Sequence, residues 1–175
     1  DSDAAGSKPY TLAIDAMGGD RAPDIVLEGL DLAADRHPGA RILLIGDEAL
    51  LVPALARHSQ AARICTVRHA PASISMEMKP TVALRVRGSS LRVAMESVAS
   101  GEALGVVSAG NSGAMLALAK IIVKALPGIS RPAMVAVQPS AKGGGVMLDL
   151  GAHIACDARN RVEFAGMGEA FAHAG

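Results

Sequence analysis

Residues 104–119 read Leu104-Gly-Val-Val-Ser-Ala-Gly-Asn-Ser-Gly-Ala-Met-Leu-Ala-Leu-Ala119. A short apolar run, Val106 and Val107, stops at Ser108; small hydrogen-bonding residues follow, and apolar residues at helical spacing restart at Ala114. This order describes a strand that enters a helix through a tight loop. The first N–H groups of a helix have no intrahelical partner, and the helix dipole makes that end partly positive. Such a loop therefore suits an anion, most often phosphate. Gly110 and Gly113 carry no side chain that would hold a ligand off the backbone. Two readings stand side by side: a site for phosphate or another oxyanion, and a strand-to-helix turn whose small residues serve packing alone.

The same alternation extends in both directions. Tyr10–Ile14 reads as a strand, followed by the loop Asp15–Asp20, with Pro23 in the first turn of a helix reaching about Asp35. Ile25, Val26, Gly29, Leu30, Leu32 and Ala33 form that helix's buried stripe. After Pro38-Gly39, Arg41–Ile45 is a second strand, a helix runs to about Arg57, and Arg63–Val67 is a third strand. His69–Pro80 has no period and reads as a long functional or covering loop. A helical region over Thr81–Ser100 is broken at Gly88, and Ala114–Leu126 continues the opening stretch. Ala133–Val137 and Val146–Leu150 read as strands joined by Gln138–Gly145, a hairpin-type or ligand loop, before a last helix over Asn160–Ala172. Strands spaced by helices imply an α/β fold with a largely parallel sheet covered on both faces. The expected organisation is a loose tail over residues 1–9 and one α/β domain over 10–175, without repeat, low-complexity tract or linker.

Composition narrows the function. The chain has 175 residues, enough for one domain with a real core, and only 2% are aromatic, so that core is aliphatic. Seventeen basic residues balance 17 acidic ones. With no basic excess and no stacking platform, nucleic acid is not an expected partner. The two cysteines, Cys65 and Cys156, form no CxxC pair, and the five histidines have no metal-binding spacing. No metal site or disulfide framework is expected, which fits a reducing cytoplasm. No apolar run reaches membrane-span length, and the polar start carries no signal-peptide pattern.

In parallel sheets ligands gather beyond the carboxyl ends of the strands, so the loops there are the places to search. Asp15-Ala-Met-Gly18-Gly19-Asp20 sets two carboxylates around two glycines, suited either to a phosphate or pantetheine arm or to a tight turn with Asp20 near a helix start. Arg85-Val-Arg87-Gly88-Ser89-Ser90 offers two guanidinium groups and two hydroxyls, as an anion clamp or as a solvated face with a capped break. In Ser108–Gly113, Asn111 is the most chemical residue: an amide that can donate to a developing oxyanion, or a turn residue in the left-handed region. Gly110-Asn-Ser112-Gly113 is one residue short of a nucleophile elbow, so no nucleophilic serine is expected. Asp149, Gly151 and Ala152 follow another strand, with His153 either an acid, base or anion donor or an ordinary surface histidine. None of these segments matches the dinucleotide fingerprint or the Walker loop.

Taken in order, Ala13–Asp20 with Ala22-Pro23, Arg87–Ser90, Val107–Ala114, Gly128–Ala133, Leu148–Ala152 and Phe164–Gly168 resemble the bacterial phosphate acyltransferase (PlsX) family, the acyl-ACP:phosphate transacylases of phospholipid synthesis. The similarity runs from about Tyr10 to the last residue and corresponds to the amino-terminal half of such proteins. Ser112 stands where Thr is usual, His153 and Ala155 where Asn and Asp are, and Glu163 where Gln is; Ser73 and Met78 replace acidic residues. The resemblance implies a three-layer α/β/α sandwich related to the isocitrate and isopropylmalate dehydrogenases. It implies acyl transfer from acyl carrier protein to inorganic phosphate, without metal or nucleotide cofactor, by a cytoplasmic homodimer peripheral to the inner face of the membrane. Asn111 is the expected oxyanion or phosphate donor. Asp15, Gly18, Gly19, Asp20, Ser89, Ser90, Ser108, Gly110, Ser112, Gly113, Asp149, Gly151 and Ala152 are the expected substrate- and phosphate-binding residues. A short-chain acyltransferase using acyl-CoA and a non-catalytic fragment that binds carrier protein are the alternatives.

Overall fold

Four strands form a sheet whose inner two carry the aliphatic runs Leu12–Ile14 and Ile42–Ile45, the pattern of strands buried on both faces. The four are β1 (Tyr10–Asp15), β2 (Ala40–Gly46), β3 (Cys65–His69) and β4 (Gly105–Val107). The computed structural model describes residues 9–141, 143–151 and 155–174, so most of the expected tail, together with Ala152 and His153, lies outside the described residues. All three strand pairings are parallel, in the order β3-β2-β1-β4. In register, Asp15 lies opposite Ile45 and Ile14 opposite Val107, which brings the ends of β1 and β4 together.

Alternation along the strands sorts the core into two layers. Ile14, Ile42 and Leu44 pack with Leu27 and Leu30 of α1 (Asp24–Arg36), Leu51 of α2 (Glu48–Leu55) and Ala61 of α3 (Ser59–Ile64). Ala13, Leu43 and Ile45 face the other way, onto Ala94 of α5 (Ser90–Ala99). A further cluster joins α5 to Ala83 of α4 (Pro80–Ala83) and to Ala114 and Leu118 of α6 (Ser112–Ile122). Helices on both faces of a parallel sheet make this an α/β fold of the expected sandwich type.

Several element boundaries differ from those read in the sequence. Pro23 precedes α1 as its cap, after a cis Ala22–Pro23 bond, and does not enter the first turn. The third strand begins at Cys65, not Arg63, because residues 59–64 form α3; Asp31 accepts the Ala61 N–H at 2.8 Å and lies 2.7 Å from His58 Nδ1. The break at Gly88 is real: its φ is +69°, and it separates α4 from α5. Helix α6 starts at Ser112, two residues before Ala114, because Asn111 caps it, and ends at Ile122.

The chain divides into two compact units, residues 1–123 and 124–175. In the second, β5 (Val135–Ser140) and β6 (Gly143–Leu148) pair antiparallel with Val137 opposite Val146, so they form a separate hairpin and do not extend the parallel sheet. Helix α7 (Ala158–Ala174) follows; Glu163 accepts the Ser130 N–H at 2.9 Å and hydroxyl at 2.7 Å, holding its carboxyl below the ordinary glutamate range.

Candidate anion site at the strand ends

Asp15 closes β1 and is only 3% exposed. A buried carboxylate needs donors, and the neighbouring loops supply them. The Ser108 hydroxyl, one residue past β4, donates to Asp15 Oδ2 at 2.8 Å, and the Met17 N–H donates to Oδ1 at 3.2 Å. Ser108 Oγ in turn accepts the Gly110 N–H at 3.0 Å. Carboxylate, hydroxyl and amide thus tie the loop after β1 to the loop after β4.

The glycines make that approach possible. A Cβ on Gly18 would lie 2.6 Å from Asp15 Oδ2, 2.7 Å from Ser108 Oγ and 2.9 Å from the Gly110 nitrogen. No side chain fits there without breaking the cluster. Gly19 has φ +106°, a conformation other residues rarely adopt. Across the site, a Cβ on Gly113 would meet the Pro80 ring at 2.9 Å.

Asn111 has extended backbone angles (φ −65°, ψ 108°), not the left-handed ones, and is 8% exposed. Its Oδ1 accepts the Ala114 N–H at 3.0 Å, the side-chain bond of an N-cap. Its Nδ2 donates to the carbonyls of Ser75, Met76 and Met78 at 3.2, 3.0 and 2.8 Å. The side chain expected to face a substrate oxyanion therefore pins the 75–78 segment to the start of α6. Among the described residues, no acceptor takes the N–H groups of Ser112 and Gly113, the first two residues of α6. Those amides are the donors at this helix end that suit an oxyanion.

The remaining expected residues fall in different places. Asp20 is exposed on the first loop. Ser89 and Ser90 are buried; the Ser89 hydroxyl accepts the Arg92 N–H at 3.4 Å as the cap of α5, and the Ser90 N–H reaches the Ala72 carbonyl. Asp149 (φ +56°) and Gly151 (φ +79°) belong to the second unit. Ser75 and Met76, whose carbonyls take the Asn111 amide, lie in the His69–Pro80 stretch read from the sequence as a functional or covering loop, though neither stands out there as an individual residue. An apolar groove of about 500 Å³ runs along β1 and α1, lined by Leu12, Ile25, Gly29 and Ala33 and bounded at one end by Asp15 and Ser108.

Parallel strands, helices on both faces and a glycine-lined loop cluster at the carboxyl ends define an α/β protein whose strand-end loops form the candidate site. Residues 10–174 match the family described as "Fatty acid synthesis protein", and the chain belongs to that family. It is 81% identical over 172 residues to a protein named phosphate acyltransferase from Gluconobacter oxydans (strain 621H), covering 98% of this chain and 47% of that protein. Proteins of the same name from Gluconacetobacter diazotrophicus and Granulibacter bethesdensis are 68% and 65% identical, over 99% and 93% of this chain and 46% and 44% of their own lengths. The chain thus spans about half the length of the curated relatives it matches. Among the described residues there is no group of three or more His, Cys, Asp or Glu able to hold a metal ion, and no helix long and apolar enough to cross a membrane.

Proposed function

We propose that this chain forms part of an enzyme that transfers a fatty acyl group from acyl carrier protein to inorganic phosphate, giving acyl phosphate for membrane phospholipid synthesis. The observation that carries this reading is the Asp15–Ser108–Gly110 cluster beside the open amides of Ser112 and Gly113. A phosphate oxygen attacks the thioester carbonyl, the carbon–sulfur bond breaks, and the carrier thiol leaves. Phosphate is itself the nucleophile, so no serine–histidine pair is needed. The protein's part is to hold phosphate against the carbonyl, which supplies roughly 7–11 kcal/mol of the barrier when the geometry is right. Asp15 fixes the Ser108 rotor, the amides of Ser112 and Gly113 receive the phosphate, and the apolar groove beside Ser108 receives the acyl chain. Asn111 acts as a positioning residue that sets α6 and the 75–78 segment. Homodimer formation, and work in the cytoplasm at the inner face of the membrane, belong to the same proposal.

The test is acyl phosphate formation, trapped with hydroxylamine, from a long-chain acyl carrier protein and from acetyl-CoA. The whole protein should give phosphate-dependent product from the carrier-bound substrate. Product from acetyl-CoA alone would replace this reading with a short-chain acyltransferase. Carrier-protein binding without product would replace it with a binding role.

A further inference from the structure

The loop site leaves one basic segment unused. Arg85, Arg87 and Arg92 line a second pocket of about 610 Å³ with Leu84, Gly88 and Glu96. Three guanidinium groups face a single carboxylate there. Arg85 and Arg87 are exposed, and among the described residues their side chains have no ion pair or hydrogen bond. Arg92 is held in place: its Nη2 donates to the Leu84 carbonyl at 2.7 Å. Its Nη1 lies 3.6 Å from Glu96 Oε1, beyond hydrogen-bond range. Its Nε is buried and has no partner among the described residues. Nε is sealed from solvent, whereas Nη1 has no acceptor within hydrogen-bond range and is not buried, which leaves Nη1 as the Arg92 donor open to the pocket. Gly88, at φ +69° with Pro71 3.4 Å from where its Cβ would be, turns the chain sharply between Arg87 and α5 and adds no side chain to the pocket.

Guanidinium groups bind phosphoryl oxygens through charge-assisted, often bidentate hydrogen bonds. We propose that Arg85, Arg87 and Arg92 form a second oxyanion site that takes a phosphoryl group. This site uses none of the residues of the loop cluster and stands whether or not that cluster turns over acyl groups. Its ligand is free inorganic phosphate or a phosphate ester such as 4′-phosphopantetheine, and the shared chemistry is the phosphoryl group.

The experiment follows the Arg92 Nε–H resonance by ¹H–¹⁵N NMR, assigned with Arg92→Lys, in the 175-residue chain and in the whole protein. Inorganic phosphate and 4′-phosphopantetheine are titrated separately at fixed ionic strength, because exposed charges are screened by salt. The resonance should move and saturate with at least one ligand. In the Arg85→Gln/Arg87→Gln variant the binding should weaken at least about tenfold, the effect of losing charge-assisted bonds. Saturation by phosphate alone assigns the site to the free ion, and saturation by the ester alone or by both assigns it to phosphoryl groups on a larger ligand. A resonance unmoved by both, or titrating identically in the double variant, overturns the proposal. Arg85 and Arg87 lie in an exposed turn and Arg92 in α5, and thermal unfolding checks that both variants remain folded.

Discussion

Replacing Asn111 separates its two jobs. Asn111→Ala removes the acceptor for the Ala114 N–H and the donor to the carbonyls of Ser75, Met76 and Met78. An N-cap contributes about 1 kcal/mol. The Nδ2 group has two hydrogens for three carbonyls, so it counts as two bonds of about 1 kcal/mol each. The expected destabilisation is about 3 kcal/mol. Asn111→Asp keeps the cap, and its charge suits the helix N-terminus. It also removes both donors and sets a carboxylate against three carbonyl oxygens, so it should still cost about 2 kcal/mol or more. Urea denaturation measures the totals, and amide hydrogen exchange locates them. In the Ala variant protection should fall both at Ala114 and in residues 75–78. In the Asp variant Ala114 should stay protected while the 75–78 segment loosens. An Asp variant as stable as the parent, with that segment unchanged, would refute the assignment of the amide as its clamp. In the whole enzyme, Asn111→Ala should cut phosphate-dependent turnover at least about tenfold through misplacement of the loop.

Four further outcomes follow from the same geometry. Gly18→Ala forces a Cβ into the Asp15–Ser108 contact and should cost about 3–5 kcal/mol, adding overpacking to a lost charge-assisted bond; in the Ser108→Ala background the cost should shrink, a coupling that a double-mutant cycle in urea measures. Asp31 is held below its ordinary pKa of 3.8 by the Ala61 N–H and by His58, so its contribution to stability is present above that pKa and lost as pH falls through the lower folded value; thermal melts on acidification should show a steeper loss for the parent than for Asp31→Asn. Burial, aided by the Asp31 carboxylate, pushes the Cys65 thiol up to about 12, so iodoacetamide near neutral pH should leave it unmodified in the folded chain and label it after unfolding, as mass spectrometry reads directly. Gly29→Leu introduces a side chain into the apolar groove at a position with open space around it; in the whole enzyme it should depress turnover of long-chain substrates more than short ones, and equal effects on both would remove the groove from the acyl site.

The parallel sheet was legible because its strands are short aliphatic runs, such as Leu12–Ile14 and Ile42–Ile45, separated by helical patterns. The break at Gly88 was legible because a glycine at positive φ interrupts a helix on local grounds. Boundaries set by distant partners were not legible. Cys65 begins β3 only because α3 is held through Asp31, a residue thirty positions away. The hairpin of β5 and β6 was one of two readings of Gln138–Gly145, and local sequence did not exclude a place for these strands in the parallel sheet. At the site, Asp15, Gly18, Ser108 and Gly110 were named from the sequence and meet in space. Asn111 was named for its amide, yet which carbonyls that amide reaches depends on a loop more than thirty residues earlier. Ser89 was named for its hydroxyl, which helix capping consumes.

The most direct test of the central claim compares phosphate-dependent acyl phosphate formation from long-chain acyl carrier protein by the whole protein and by its Gly18→Ala variant, with acyl carrier protein binding measured alongside. The account predicts product from the parent and loss of turnover in the variant, with carrier-protein binding retained. Undiminished turnover in a folded Gly18→Ala protein would contradict a phosphate site at the ends of β1 and β4.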